Sequence, residues 1–232
     1  MSPANSLAYR QVARALQGKT ACRSPDTIMS DEHHHTNEYI AFLDNNASNA
    51  DRPRDIYWGL AMIPLFAYGH HTKAIQLGMQ MMETMPRLWS ARVSYVVYFY
   101  LALSLLTLHN EYPARGYLDG SLHTVLKYKA EVDFARSACD ANYGMWSLIL
   151  EALICEVRND HTSAIQSFEV SCRTARDGLK EKLIRPGCNR SLSNSRVALG
   201  RSACSRTAWY VHRRPKSQYF LGEGLPPRLG PN

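Results

Sequence analysis

The chain has 232 residues, 45% hydrophobic and 20% charged, the balance of a soluble globular protein long enough to bury a core. Its net charge of +7 divides unevenly: residues 1–184 carry 18 Lys/Arg against 19 Asp/Glu, and residues 185–232 carry nine against Glu223 alone. The basic character therefore belongs to the C-terminal tail, and it excludes the larger part of the chain as a basic nucleic-acid module. The six cysteines form no CxxC pair and follow no secretory leader, which points to free thiols in a reducing, cytoplasmic setting rather than a disulfide framework.

The first predicted element is a helix over about 5–17, with Leu7, Val12 and Leu16 near one face. Arg10, Arg14, Lys19 and Arg23 precede the first acid, Asp26, a pattern shared with mitochondrial presequences, but the opening helix of the domain accounts for it more simply. A loop over 21–53 follows, containing Asp31-Glu32-His33-His34-His35. His and carboxylate both ligate zinc, yet consecutive loop residues converge poorly on one ion and no second cluster completes a tetrahedral set. His70-His71 falls at a turn between helices. No residue is assigned to metal.

Three helical hairpins are expected next, over about 55–86, 90–136 and 143–183. The stretch Val93 to Asn110 lacks any charged residue, but its strongly apolar part is about sixteen residues against about twenty for a bilayer span. Ser94, Ser104 and Thr107 suit a buried core helix, so no membrane span is assigned. Pro113 and Gly116 supply the turn to the next helix. In the third hairpin Trp146, Ile149, Leu150, Leu153, Ile154 and Val157 recur at helical spacing, Asn159-Asp160 breaks the pattern, and Ala164, Ile165, Phe168 and Cys172 resume it. So short a break makes the two helices antiparallel neighbours.

The hairpins fit the tetratricopeptide pattern in part. With Ala164 at repeat position 20, Ala152 falls at 8 and Phe168 at 24; with Ala74 at position 20, Trp58 falls at 4 and Pro86 at 32. Small residues at 8 and 20 let helix backbones approach, and the proline ends the second helix. Met62 and Gly78 depart from the pattern in the first unit. The fold expected is all-α: degenerate tetratricopeptide-like hairpins, an α-solenoid segment, over residues 1–183.

Residues 184–232 form a different kind of sequence, with six Ser, five Gly, five Pro and eight Arg from Arg185 onward. Such a composition predicts a disordered tail. Arg interleaved with Trp209, Tyr210, Tyr219 and Phe220 suits single-stranded nucleic acid, so an adaptor whose basic tail binds nucleic acid is the alternative reading; a partnerless basic tail is favoured.

Chemistry has no foothold. Glu151 and Glu156 stand five apart and do not share a helix face. Cys155 and Cys172 fall at inward positions, as small apolar residues do. No GxSxG, phosphate loop or HExxH occurs. Catalytic, cofactor-binding and metal-ligating residues are therefore none, no cofactor is implied, and the partners expected are proteins. Tyr95, Tyr98 and Tyr143 are candidates for exposed aromatics on the concave face that stacked hairpins create.

The segments LAYRQVARALQGKT (7–20), DIYWGLAMIPLFAYGHHTKAIQLG (55–78), LWSARVSYVVYFYLALSLL (88–106) and NYGMWSLILEALICEVRNDHTSAIQSFEVSCRTARDG (142–178) occur in that order. Together they resemble the helical region of fungal hybrid histidine kinases that begin with a protein-kinase-like domain, where it follows an AAA-type ATPase module and precedes a GAF domain and the kinase core. The resemblance covers about 7–183 and implies a non-catalytic interaction and regulatory segment in phosphorelay signal transduction. It supplies no catalytic residue: the phosphoacceptor His, ATP-binding core and receiver Asp of such kinases have no counterpart here. Departure begins near Leu179, and a shifted reading frame or retained intron past residue 178 would account for it. A repeat array cut at that point exposes an uncapped apolar face, so a thermal melt of the isolated chain is expected to be broad or to end in aggregation; a sharp two-state transition at high temperature would contradict this.

Overall fold

The computed structural model describes residues 3–46, 51–88, 92–112 and 122–184. Among them are eight α-helices and no strand, only an isolated bridge pairing Asp31 with His34. The helices are α1 (Pro3–Leu16), α2 (Thr36–Asn46), α3 (Asp51–Ala67), α4 (His71–Thr84), α5 (Arg92–Glu111), α6 (Leu122–Ala138), α7 (Asp140–Val157) and α8 (His161–Ile184). A 3₁₀ turn, Met85–Leu88, holds Pro86 and ends α4. The Pro113 to Gly116 turn and the basic tail lie outside the described residues.

The fold is all-helical, as the periodicity predicts, with one difference. The expected loop over 21–53 is interrupted by α2. Its start is held by the Thr36 N–H donating to Ser30 Oγ at 3.0 Å, and Glu38 in its first turn complements the helix dipole. Only Thr36, Tyr39, Ile40 and Leu43 turn inward, too few for a periodic signal in the sequence.

Three helix ends close in one way. After α1, α3 and α7, the residues Gly18, Gly69 and Asn159 take positive φ values of 72°, 79° and 61°. The following N–H then reaches back to the carbonyl five residues earlier, Lys19 to Arg14, His70 to Leu65 and Asp160 to Cys155, at 2.8–2.9 Å. These are Schellman closures, which satisfy carbonyls that a helix end otherwise strands. Asp160 then accepts the Ser163 N–H at 3.1 Å and caps α8. The Asn159-Asp160 break therefore ends one helix and starts the next.

Packing follows a regular order. α1 lies on α3, α3 on α5 and α5 on α7; α4 packs on α3 and α5, α6 on α5 and α7, and α8 on α7. Helix α5 thus meets four helices, which explains why it is apolar all round. From Phe99 to Leu108 every residue is buried. By length and composition α5 is, among the described residues, the one helix able to cross a membrane, yet 72% of its apolar window is buried against the other helices. Phe99 is fully buried and stacks on Trp146 of α7, centroids 4.7 Å apart and planes 13° apart.

α3 approaches α5 closely at Gly59, where an added Cβ would sit 2.7 Å from Val93 Cγ2 and 3.2 Å from Val97 Cγ2 of α5. A valine in a packed core has little room to give. Gly59→Leu is expected to destabilise the chain by about 2–3 kcal/mol, whereas in Gly59→Ala the smaller overlap is offset by a helix-propensity gain of about 1 kcal/mol. Urea denaturation followed by circular dichroism measures both; a Leu variant as stable as the parent would show that α3 and α5 are not packed this closely.

Candidate functional site

The histidine run sits where the chain leaves α1 and folds back over α3, and its three rings diverge. Asp31 and His34 pair through their backbones, and the tight turn between them throws His33 and His35 outward and His34 inward. His33 lies beside Glu32, both largely solvated. His70 bonds the Cys22 carbonyl through Nε2 at 3.0 Å, and the buried His71 packs on the Phe66 ring. Among the described residues no group of three His, Cys, Asp or Glu side chains comes together to hold a metal ion.

His34 belongs instead to a buried hydrogen-bond chain centred on Tyr57 of α3, whose side chain is wholly enclosed. Tyr57 Oη lies 2.8 Å from His34 Nε2 and 3.0 Å from Thr36 Oγ1. Thr36 Oγ1 in turn accepts from Ser30 Oγ at 3.0 Å. Burial pushes the Tyr57 hydroxyl far above the ordinary tyrosine range, so it stays protonated. Burial likewise lowers the His34 imidazole, against the opposing pull of Asp31. Burial would raise Asp31 itself, but bonds from the His33 N–H and from Arg14 Nε, at 2.6 Å, outweigh it and hold the carboxyl below its usual range. Tyr68 Oη donates to the Ala15 carbonyl at 2.7 Å and ties α1 to the C-terminal end of α3.

Two recesses stand out among the described residues, one at the N-terminal loop and one between α3 and α4. The larger, about 770 Å³, is lined by Arg14, Lys19, Ser30, Asp31, Glu32 and His35 among others. Its hydroxyls are committed: Thr20 donates to the Ile28 carbonyl, Thr27 to the Ala21 carbonyl and Ser30 to Thr36. It offers charges of both signs and no nucleophile paired with a base. The smaller, about 260 Å³, lies between α3 and α4 with Trp58, Leu77 and Met81 as its apolar part and Arg54 and Asp55 beside them. That is room for a side chain rather than for a cofactor.

Glu151 is engaged across α6 and α7. Lys129 Nζ reaches Asp133 at 2.7 Å and Glu151 at 3.0 Å, and Asp133 accepts from Ser147 at 2.6 Å. Cys155 is buried, and burial and the Glu151 charge push its thiol up, away from a reactive thiolate. Cys22, Cys139, Cys155 and Cys172 are free thiols; Cys188 and Cys204 lie outside the described residues. Tyr95, Tyr98 and Tyr143 are half-buried rather than exposed: Tyr95 meets Tyr143 edge-on, and Tyr98 lies against Tyr128.

The Tyr57 chain and the Lys129 cluster carry no sequence motif, since their members stand up to 27 residues apart and belong to different elements. The one available signal was Thr36 followed by Glu38 and then Tyr39-Ile40, a helix-start pattern within the supposed loop. No family model, no curated protein and no solved structure matches the chain.

Tyr57→Phe strips the hydroxyl from between His34 and Thr36 and leaves two buried polar groups short of a partner. It is expected to cost about 1–3 kcal/mol, read as a lower urea midpoint with an unchanged denaturant slope. An unchanged midpoint would mean that the chain of bonds contributes nothing to docking the loop.

Proposed function

We propose that residues 7–183 are a helical-repeat interaction and regulatory segment, a run of degenerate tetratricopeptide-like hairpins resembling part of a fungal hybrid sensor histidine kinase. The observation that carries this reading is the packing order. Odd-numbered helices stack on one another from α1 to α7, while α4 and α6 each bridge two successive odd ones. Stacked hairpins of an α-solenoid pack in this way, each burying its apolar face only through its neighbours. Ala74, Ala152 and Ala164, the small residues of the repeat pattern, are all buried where helices meet. Gly78 stands where the pattern has an aromatic, and Leu101 and Met62 fill the space above it.

Such a segment works by contact. Phe42, Met79 and Phe134 are large apolar side chains between half and two-thirds exposed, on α2, α4 and α6. Single exposed apolar residues are ordinary, but they are also the anchors that a protein partner buries. The proposed role is cytoplasmic coupling of an ATPase module to a kinase core, with no catalytic residue contributed by the segment itself.

Titrating the purified chain with the isolated AAA-type ATPase module, and separately with the GAF-kinase portion, of a fungal kinase of the resembled kind tests this. Micromolar binding to one of them, weakened at least about tenfold by Phe134→Asp or Phe42→Asp, is the expected result, a loss of about 1.4 kcal/mol. Absence of binding to both, or ATP hydrolysis by the chain alone, would overturn the reading.

A further inference from the structure

One proton order satisfies every hydroxyl of the His34 chain of bonds. The Thr36 N–H donates to Ser30 Oγ, and Ser30 Oγ–H donates to Thr36 Oγ1. The Thr36 hydrogen is then directed to Tyr57 Oη, which leaves the Tyr57 hydrogen for His34 Nε2. Each hydroxyl accepts once and donates once, and the sequence ends on a ring nitrogen that must be unprotonated. A proton on Nε2 sets two donors face to face within 2.8 Å, and turning the Tyr57 hydroxyl round takes from the Thr36 hydrogen its acceptor.

The packing of this part of the chain is lighter than that between the longer helices. Helix α2 packs on α3, with Leu43 and the half-buried Tyr39 and Ile40 turned inward. The Tyr39 ring also meets Tyr57, and Arg54 pairs with Asp44 at the solvated edge, a contact of the kind that contributes least. Upstream, by contrast, Asp31 is fastened to Arg14 and Cys22 to His70.

We propose that His34 is a proton-operated latch: neutral, it holds residues 32–46, including α2, onto α3; protonated, it frees them and uncovers Tyr57 and Tyr39. The charged and titratable groups around the ring set its direction. Arg10 from α1 and His35 from the loop oppose a positive charge on it. Asp31 favours one, but that carboxylate is already engaged by Arg14 and the His33 N–H. Tyr39 of α2 and Tyr57 of α3 are neutral rings, 5.3 and 5.8 Å away by centroid, and offer no compensating charge. Release therefore begins on the acid side of neutrality, where a freed imidazole takes a proton more readily than the docked one. The latch is independent of what the helical segment binds.

Hydrogen exchange of the full chain, corrected for intrinsic rates, tests this. Between about pH 7.5 and 5.5 the amides of 32–46 should open about tenfold more, because a freed His titrates near 6.5, while those of α5 stay unchanged. His34→Gln keeps an acceptor for Tyr57 and cannot titrate, so its exchange should be the same at both values. Equal protection of 32–46 at both values in the parent chain, or the same increase in the variant, overturns the proposal. Should the variant not fold, NMR titration of the His34 ring in the parent chain decides. The ring is expected to gain its proton only as those amides open, and protonation of the ring with the segment still closed overturns the latch.

Discussion

The burial of α5 on every side is the constraint to which the rest of the fold answers. A helix with no polar face has to be surrounded, and α3, α4, α6 and α7 surround it. Each of those helices is in turn amphipathic only relative to α5 and to the next pair, so none is a stable unit alone. The stack Phe99 on Trp146 and the close contact of Gly59 with Val93 show how little slack remains between successive odd helices. Close approach is achieved with glycine and alanine at the crossings and aromatic rings between them.

Around this apolar centre the polar contacts are distributed by need. Where helices end, Gly18, Gly69 and Asn159 turn the chain so that its carbonyls are satisfied by its own backbone. Where α6 meets α7, Lys129 gathers Asp133 and Glu151. Burial alone would lower the Lys129 ammonium, and the two carboxylates reverse that. Where the N-terminal loop meets α3, Ile28 and Met29 join the core, and the Tyr57 chain of bonds adds polar ties beside them. A buried hydroxyl chain gives direction and register, and it makes that junction sensitive to a single proton. The regulatory reading of the segment and the latch thus have different origins, one in repeat packing and the other in hydrogen bonding.

Much of this was readable from residues. Trp146, Ile149, Leu150, Leu153 and Ile154 mark the inward face of α7, and Ala164, Phe168 and Cys172 that of α8, because helical period and burial are two expressions of one geometry. The apolar run of α5 gave a buried core helix rather than a bilayer span by its length. Illegible were α2, whose inward residues are too few to show a period, and the setting of Tyr95 and Tyr143, which tertiary contact makes half-buried neighbours. The histidine run drew attention for metal chemistry that its backbone turn prevents, since a run of adjacent residues points in several directions.

Local composition determined which stretches are helical, where the turns after α3 and α7 fall, and that the basic charge belongs to the tail. These depend on residues within one or two turns of each other, and propensity, period and capping act at that range. Only the tertiary structure decided that α5 sits at the centre, that Gly59 is a contact rather than a flaw in α3, and that His34 is a buried acceptor while its two neighbours face water. Those outcomes depend on pairs such as His34 with Tyr57 and Phe99 with Trp146, separated by 23 and 47 positions in the chain, and no local pattern encodes which distant partner a side chain will meet.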